Sequence, residues 1–374
     1  MARHQFLDSL RGVAILGVVM THVGQSVNDA PAMLTDFFRF GLRGVQLFFM
    51  VSALTLSLVT KPATLDLPSF YVRRFFRIAP MFYLAAMFYL LSPSLLGVDF
   101  VAPPVTGFDM AFAFLFVHGF DPHGMNSVVP GGWSIASEVM FYAIFPLLLY
   151  HAASLRRASL LLCVSLGVAV INGALPIILK IHDPMWKDFF HFNFLTSLPA
   201  FLIGLVLFTW FRENGIARPA GAGRHVLPGV VVASAVLVGC LGDRIPATQL
   251  LMLFPLGGLV FVAARYEPRW LVNPVLGFIG EISFSIYLVH FAVLHALGDM
   301  QALALPGWQR LLLLYGATIA ASSLVAWVCR VVVEQPMVRV GYRVSTWLQR
   351  PPAAMRSGLG AEPVAETDLR GDHV

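Results

Sequence analysis

The sequence predicts an all-α, polytopic membrane helix bundle of about ten transmembrane helices with both termini cytoplasmic. Three observations carry this: the composition, the spacing of the apolar windows and the placement of the basic residues. Of 374 residues, 58% are hydrophobic and only 12% are charged, and the mean hydropathy is +0.77. A soluble domain carries roughly twice that charged fraction, so this much apolar surface requires lipid as its solvent. Apolar windows of about 17 to 25 residues fall near 7–26, 42–60, 78–97, 132–150 and 158–179. Five more fall near 193–211, 226–242, 247–264, 274–297 and 309–332. The shorter run 108–120 is ambiguous by length alone.

Charge resolves that ambiguity. With a cytoplasmic N-terminus and a non-crossing 108–120 run, 18 of the 25 Lys and Arg residues lie on inner loops and tail and 6 lie outside. Arg11 falls within the first span. A crossing at 108–120 would invert every later loop and erase the asymmetry, so that run is expected to be re-entrant or to lie on the outer surface. The stretch Met1 to Gly12 lacks the order of a cleavable signal peptide, because Asp8 and Arg11 interrupt the place where an apolar core would begin. The membrane domain is expected over 1–345. Residues 346–374, rich in Pro, Ala, Gly and charge, are expected to be disordered.

Several function classes drop out here. The basic residues sit in connecting stretches rather than on one face, so nucleic acid is not indicated. Cys163, Cys240 and Cys329 lie in apolar segments as small hydrophobes. Neither a disulfide framework nor a metal-ligand spacing is present, so no metal site is expected. No internal repeat is evident, which weighs against a transporter built from paired halves.

Four constellations could carry chemistry. Arg11 and His22 are eleven residues apart, which at 100° per residue comes within about 20° of three full turns and places them on one helix face about 16 Å apart along the axis. Asp8 shares that stripe and can pair with Arg11. Ionisable groups inside a span usually face a polar cavity or a partner. The stretch Tyr71-Val-Arg-Arg-Phe-Phe-Arg77 puts Arg74 and Arg77 on one face at the cytoplasmic end of a span, with Arg73 beside them. Guanidinium forks grip phosphate, although such a cluster also serves as a positive-inside anchor. In Gly131-Gly-Trp-Ser-Ile-Ala-Ser-Glu138-Val-Met-Phe-Tyr142, Ser134, Glu138 and Tyr142 form an i, i+4, i+8 polar stripe. Glu138 reaches a depth similar to that of His22, so a His22–Glu138 contact that orients the imidazole is expected. Ser283, Tyr287 and His290 fall at i, i+4, i+7 on one face of a later span.

Together these stretches resemble the acyltransferase-3 family of integral membrane acyltransferases. The matching pieces are Phe6-Leu-Asp-Ser-Leu-Arg-Gly followed by His22, Gly44-Val-Gln-Leu-Phe-Phe-Met-Val-Ser52-Ala, Arg74-Phe-Phe-Arg77, and Trp133-Ser-Ile-Ala-Ser-Glu138 with Phe141-Tyr142. Ser285-Ile-Tyr-Leu-Val-His290 and the closing Val333-Glu-Gln-Pro336 complete the order, over about residues 5 to 340. The sequence departs from the commonest pattern at Gln46, Ala53 and Val139.

The resemblance implies a multi-pass protein of the bacterial inner membrane that moves an acyl group, acetyl foremost, from acyl-CoA to a hydroxyl of a carbohydrate such as an exopolysaccharide or O-antigen unit. Acyl-CoA is then a co-substrate and no cofactor is held permanently. The bilayer, the acceptor and polysaccharide-assembly proteins are the implied partners. Arg11 and His22 become the essential pair, Arg74 and Arg77 donor-binding residues, and Glu138 an active-site carboxylate. His22 would be a general base or a transient acyl carrier. Ser134, Ser137, Tyr287 and His290 remain candidates for the oxyanion donor. With no hydrolase-like domain appended, a stand-alone version is expected. An exporter or flippase for a lipid-linked glycan is the alternative, and it would move substrate without consuming acyl-CoA. A membrane acyltransferase of the other major architecture ranks below both, since the Asn–His pairing expected of it is not found.

Overall fold

The computed structural model describes residues 5–98, 100, 105–215, 230–231, 233–234, 248–298, 300 and 303–349. Among these the chain is helical and contains no strand. The helices are α1 (Gln5–Ser26), α2 (Ala32–Arg39), α3 (Gly44–Val59), α4 (Leu67–Leu96), α5 (Gly107–Phe114), α6 (Gly132–His151), α7 (Leu155–Ile178), α8 (Pro184–Phe192) and α9 (Phe194–Asn214). They continue with α10 (Thr248–Leu251), α11 (Leu253–Tyr266), α12 (Pro274–Glu281), α13 (Ser283–Ala296), α14 (Gly307–Cys329) and α15 (Gln335–Leu348). Eight helical segments are long and apolar enough to cross a membrane, and α12 with α13 makes a ninth that bends by 74°. Nine of the ten expected windows are thereby occupied. The tenth, 226–242, lies outside the described residues apart from Val230, Val231, Ala233 and Ser234.

Among the described residues, α1, α3 and α4 run in alternating directions, so one end gathers Arg11, Arg74 and Arg77 and the other holds His22. At the arginine end α9 finishes beside the end of α6, where Arg212 donates to the Ala153 carbonyl at 2.7 Å. Thr248 opens α10 at the opposite end, where Gln46 donates to the Gln249 carbonyl at 3.2 Å. The ambiguous run resolves into α5, eight residues and about 12 Å long, followed by a 3-10 turn at His118–Phe120. It is too short to cross. Tyr83 ties it down by donating to the Phe114 carbonyl at 2.7 Å.

α1 is the central helix. Its apolar residues Leu10, Ile15, Val19 and Val23 are fully buried, and it packs against α3, α12, α13 and α14. Close approach depends on small residues, as expected where lipid leaves no hydrophobic drive between helices. A Cβ on Gly280 of α12 would sit 1.7 Å from the Asp8 carbonyl oxygen, and one on Gly12 of α1 would sit 2.2 Å from that of Leu276. This embrace holds α12 flat along α1, and the break at Ile282 then turns α13 across the bundle. α7 lies at the periphery, with Leu160, Ile171 and Ile177 exposed on the face that lipid would cover.

After α14 the helix continues through a π turn at Arg330–Glu334 into α15. α15 packs along α4, with Gly341 against Phe76 and Ser69 donating to the Ser345 carbonyl at 3.1 Å. Regular structure therefore runs through Leu348, past the expected start of the tail at 346, and residues 350–374 lie outside the described part.

Candidate active site

Two of the cavities beside α1 hold Arg11 and His22. The first, about 120 Å³, is walled by Arg11 of α1, Ser52 and Thr55 of α3, Arg74 and Arg77 of α4, Ser134, Glu138 and Tyr142 of α6, and Ser283 and Tyr287 of α13. Arg11 donates to Asp8 at 3.0 Å, as the i, i+3 spacing predicts, and to the Thr55 hydroxyl at 2.8 Å. Arg74 lies over the Tyr142 ring at 5.8 Å, and its buried Nε has no hydrogen-bond partner. Arg77 lies over Phe284 at 5.6 Å and forms an ion pair with Glu334. Glu138 is held through one oxygen, Oε1, which accepts from Ser52 and Tyr142 at 2.5 Å each. Asp8 and Glu334 stand behind the wall, so the lining itself carries three guanidinium groups and one carboxylate. Such a surface draws a polyanion.

The second cavity, about 630 Å³, includes His22 and Gln25 of α1, Arg43, Gln46, Asn126, His191 and Gln249. Aromatic faces come from Phe49, Phe100, Trp133, Phe192 and Phe291, and no carboxylate occurs among its described lining residues. His22 Nδ1 lies 3.1 Å from the Gln25 amide oxygen. An amide oxygen only accepts, so Nδ1 carries the proton and Nε2 keeps its lone pair. The His22 ring lies 4.4 Å from Phe291 and 5.3 Å from His290, centroid to centroid.

Val45, Phe49 and Tyr287 belong to both walls, so the two cavities adjoin at these side chains. The Tyr287 hydroxyl donates to the Gly131 carbonyl at 2.9 Å and accepts from Ser134 at 2.7 Å. Gly131 opens α6 in the left-handed region at φ +76, and a Cβ there would stand 2.7 Å from the Tyr287 hydroxyl. Both the conformation and the space call for glycine.

The structure brings together most of the residues singled out by sequence, with three differences. The expected His22–Glu138 contact is not formed. Similar depth put the two residues level, but α6 turns Glu138 toward Ser52 and the arginine cavity, and the partner of His22 is Gln25. Arg73 leaves the Arg74–Arg77 face and donates to Ser345 on α15 at 3.4 Å. Ser137 and His290 are buried on neither wall; His290 Nδ1 lies 2.7 Å from the Tyr287 carbonyl, while its Nε2 has no partner. Sequence reasoning assigned no role to Ser52, Thr55, Gln25 or Glu334. Ser52 and Glu334 did stand inside motifs singled out above, which was the available signal.

Residues 4–327 match the acyltransferase-3 family, described as an acyltransferase domain. The peptidoglycan O-acetyltransferase OatA of Listeria monocytogenes is 25% identical over 347 residues, covering 85% of this chain and 54% of that protein. A Staphylococcus aureus protein named provisionally as an O-acetyltransferase is 26% identical over 316 residues, covering 77% of this chain and 50% of its own length. A Bacillus subtilis protein provisionally named a peptidoglycan O-acetyltransferase is 23% identical over 363 residues, covering 90% and 55%. The chain thus spans about half the length of the curated relatives it matches. No solved structure gives a significant match.

Proposed function

Because the chain belongs to the acyltransferase-3 family, we propose that it moves an acetyl-class acyl group from cytoplasmic acyl-CoA to a carbohydrate hydroxyl at the opposite face of a bacterial inner membrane. The observation that carries this reading is the pair of cavities, one lined by arginines and one by His22, sharing the side chains of Val45, Phe49 and Tyr287. The bias of basic residues toward the arginine end supports a cytoplasmic position for it, on the side where acyl-CoA is found. The aromatic faces and neutral amides of the second cavity suit a sugar, whose apolar faces stack and whose hydroxyls need both donors and acceptors. The relatives named for glycan O-acetylation point the same way.

In this mechanism Arg74 and Arg77 bind the donor phosphates, and Arg11, held by Asp8 and Thr55, lines the passage. The acyl-pantetheine arm spans the roughly 16 Å between the depths of Arg11 and His22, with Glu138 accepting from its amide N–H groups. His22 Nε2 takes the acceptor hydroxyl proton as that oxygen bonds to the acyl carbon. The C–S bond breaks, and the departing thiolate regains a proton from the His22 imidazolium. The oxyanion would draw its hydrogen bonds from Tyr287 and Ser134, once their hydroxyl protons turn from the Gly131 carbonyl and from each other toward the acyl oxygen.

The test is acyl transfer by purified full-length protein. His22→Ala should lower kcat by roughly a hundredfold or more, and transfer continuing at the wild-type rate would end the assignment. The acceptor class is read separately, by acyl-group NMR of surface polysaccharides from wild-type and deletion cells.

A further inference from the structure

We propose that Glu334 is a positioning residue for donor binding, holding the Arg77 guanidinium in the orientation that receives the phosphates of acyl-CoA. The inference rests on the donor reading above and concerns a residue on neither cavity wall. Glu334 is only 5% exposed. One carboxylate oxygen pairs with Arg77 Nη1, and the other accepts from the Ser285 hydroxyl at 3.0 Å. Arg77 is thereby held from behind at one nitrogen, with Phe284 against its face, and its other N–H donors remain for a ligand in the cavity. A guanidinium carries five donors in a planar fork. Fixing one edge of that fork leaves the rest pre-organised for phosphate, with less freedom to lose on binding.

The backbone around Glu334 is built for placement. Arg330–Glu334 forms a single π turn between α14 and α15, a feature that recurs at functional sites because it re-aims side chains within a helix. The same turn is pinned at its other end by the ion pair of Arg330 with Glu281 of α12 at 2.8 Å. Glu334 thus links the turn to α4 through Arg77 and to α13 through Ser285. A buried ion pair adds little net stability compared with apolar packing of similar volume, so orientation of Arg77 is the better account of it.

The experiment compares acetyl-CoA with acetyl-pantetheine, which lacks the nucleotide phosphates, as donors for full-length protein in nanodiscs. Glu334→Gln is expected to raise the KM for acetyl-CoA roughly tenfold or more, equivalent to about 1.4 kcal/mol, with kcat within about twofold of wild type. The kcat/KM for acetyl-pantetheine should be unchanged. Ser285→Ala, a milder change, should shift the acetyl-CoA KM in the same direction and supplies the test if the first variant does not fold. Equal losses with both donors, or wild-type kinetics with both, overturn the proposal. If the wild type already treats the two donors alike and Arg77→Lys changes nothing, the donor reading itself has failed. A wild-type preference that Arg77→Lys abolishes and Glu334→Gln leaves intact sinks the positioning role alone.

Discussion

At His22, one hydrogen bond decides which nitrogen is available for chemistry. The Gln25 amide oxygen claims Nδ1–H, so removing it lets the imidazole take the tautomer with Nε2 protonated, which cannot accept the hydroxyl proton. Gln25→Leu is expected to lower kcat roughly tenfold, less than the loss for His22→Ala, with the donor KM unchanged. An unaltered kcat would show that Gln25 does not orient the base. Glu138 belongs to the other cavity, so Glu138→Gln, which keeps the Ser52 and Tyr142 hydrogen bonds within reach, should alter the kinetics of the donor and leave the acceptor KM alone. A shift in acceptor KM without one in the donor would restore Glu138 to the side of His22. Sequence could not have made this distinction. Residue count gives depth along a helix, but rotation about its axis is fixed by neighbours distant in the chain, here Ser52, 86 positions away. Arg11, Arg74 and Arg77 were legible because their spacings are local and periodic. The partner of Arg77 was not, because Glu334 lies 257 positions on.

At the scale of single helices, the pairing of α1 with α12 sets where Asp8, and through it Arg11, is held. Gly280→Ala forces a Cβ to 1.7 Å from the Asp8 carbonyl oxygen, where both partners are backbone. A cost of about 1–3 kcal/mol follows, with loss of transfer activity as the Asp8–Arg11 pair shifts. Gly173→Ala is the control: it lies in α7 with nothing within 4 Å and should leave the unfolding midpoint unchanged or slightly raised. Equal behaviour of the two variants in thermal unfolding would refute the close-packing account. The break at Ile282 illustrates what hydropathy conceals. The window 274–297 reads as one uninterrupted span, and its 74° bend falls two residues after Gly280, which packs against the Asp8 carbonyl of α1. The start of α4 is read more directly. Asp66 caps it by accepting from the Ser69 amide at 3.2 Å, and hydrogen bonding with Ser69 holds the Asp66 carboxyl below its usual range. A lowered carboxyl value in the folded state means the contribution is full at neutral pH and lost as pH falls through that value. The midpoint difference between wild type and Asp66→Ala should therefore shrink on acidification, and a difference independent of pH would show that the cap does not act through its charge.

For the whole molecule, the mechanism requires the arginine end and the His22 end to face opposite aqueous compartments, and only one orientation lets the donor reach Arg74 and Arg77. Basic residues in the short loops favour that orientation, and the helical alternation agrees with it: α1, α3 and α4 place Asp36 near the His22 end and Thr64 at the arginine end. Both residues are exposed. Single cysteines at these positions, in a chain whose three native cysteines are replaced by alanine, make the orientation measurable. Asp36→Cys is expected to react with a membrane-impermeant maleimide in spheroplasts, and Thr64→Cys only after the membrane is permeabilised. The reverse pattern would put Arg74 and Arg77 outside the cell, away from any pool of acyl-CoA, and both the proposed donor assignment and the role given to Glu334 would fall with it. Labelling of both from outside would mean that the segment from α2 to α4 does not alternate as described. The expected pattern would leave His22 open to the outer compartment, so that the acceptor is acylated there while the nucleotide part of the donor stays within.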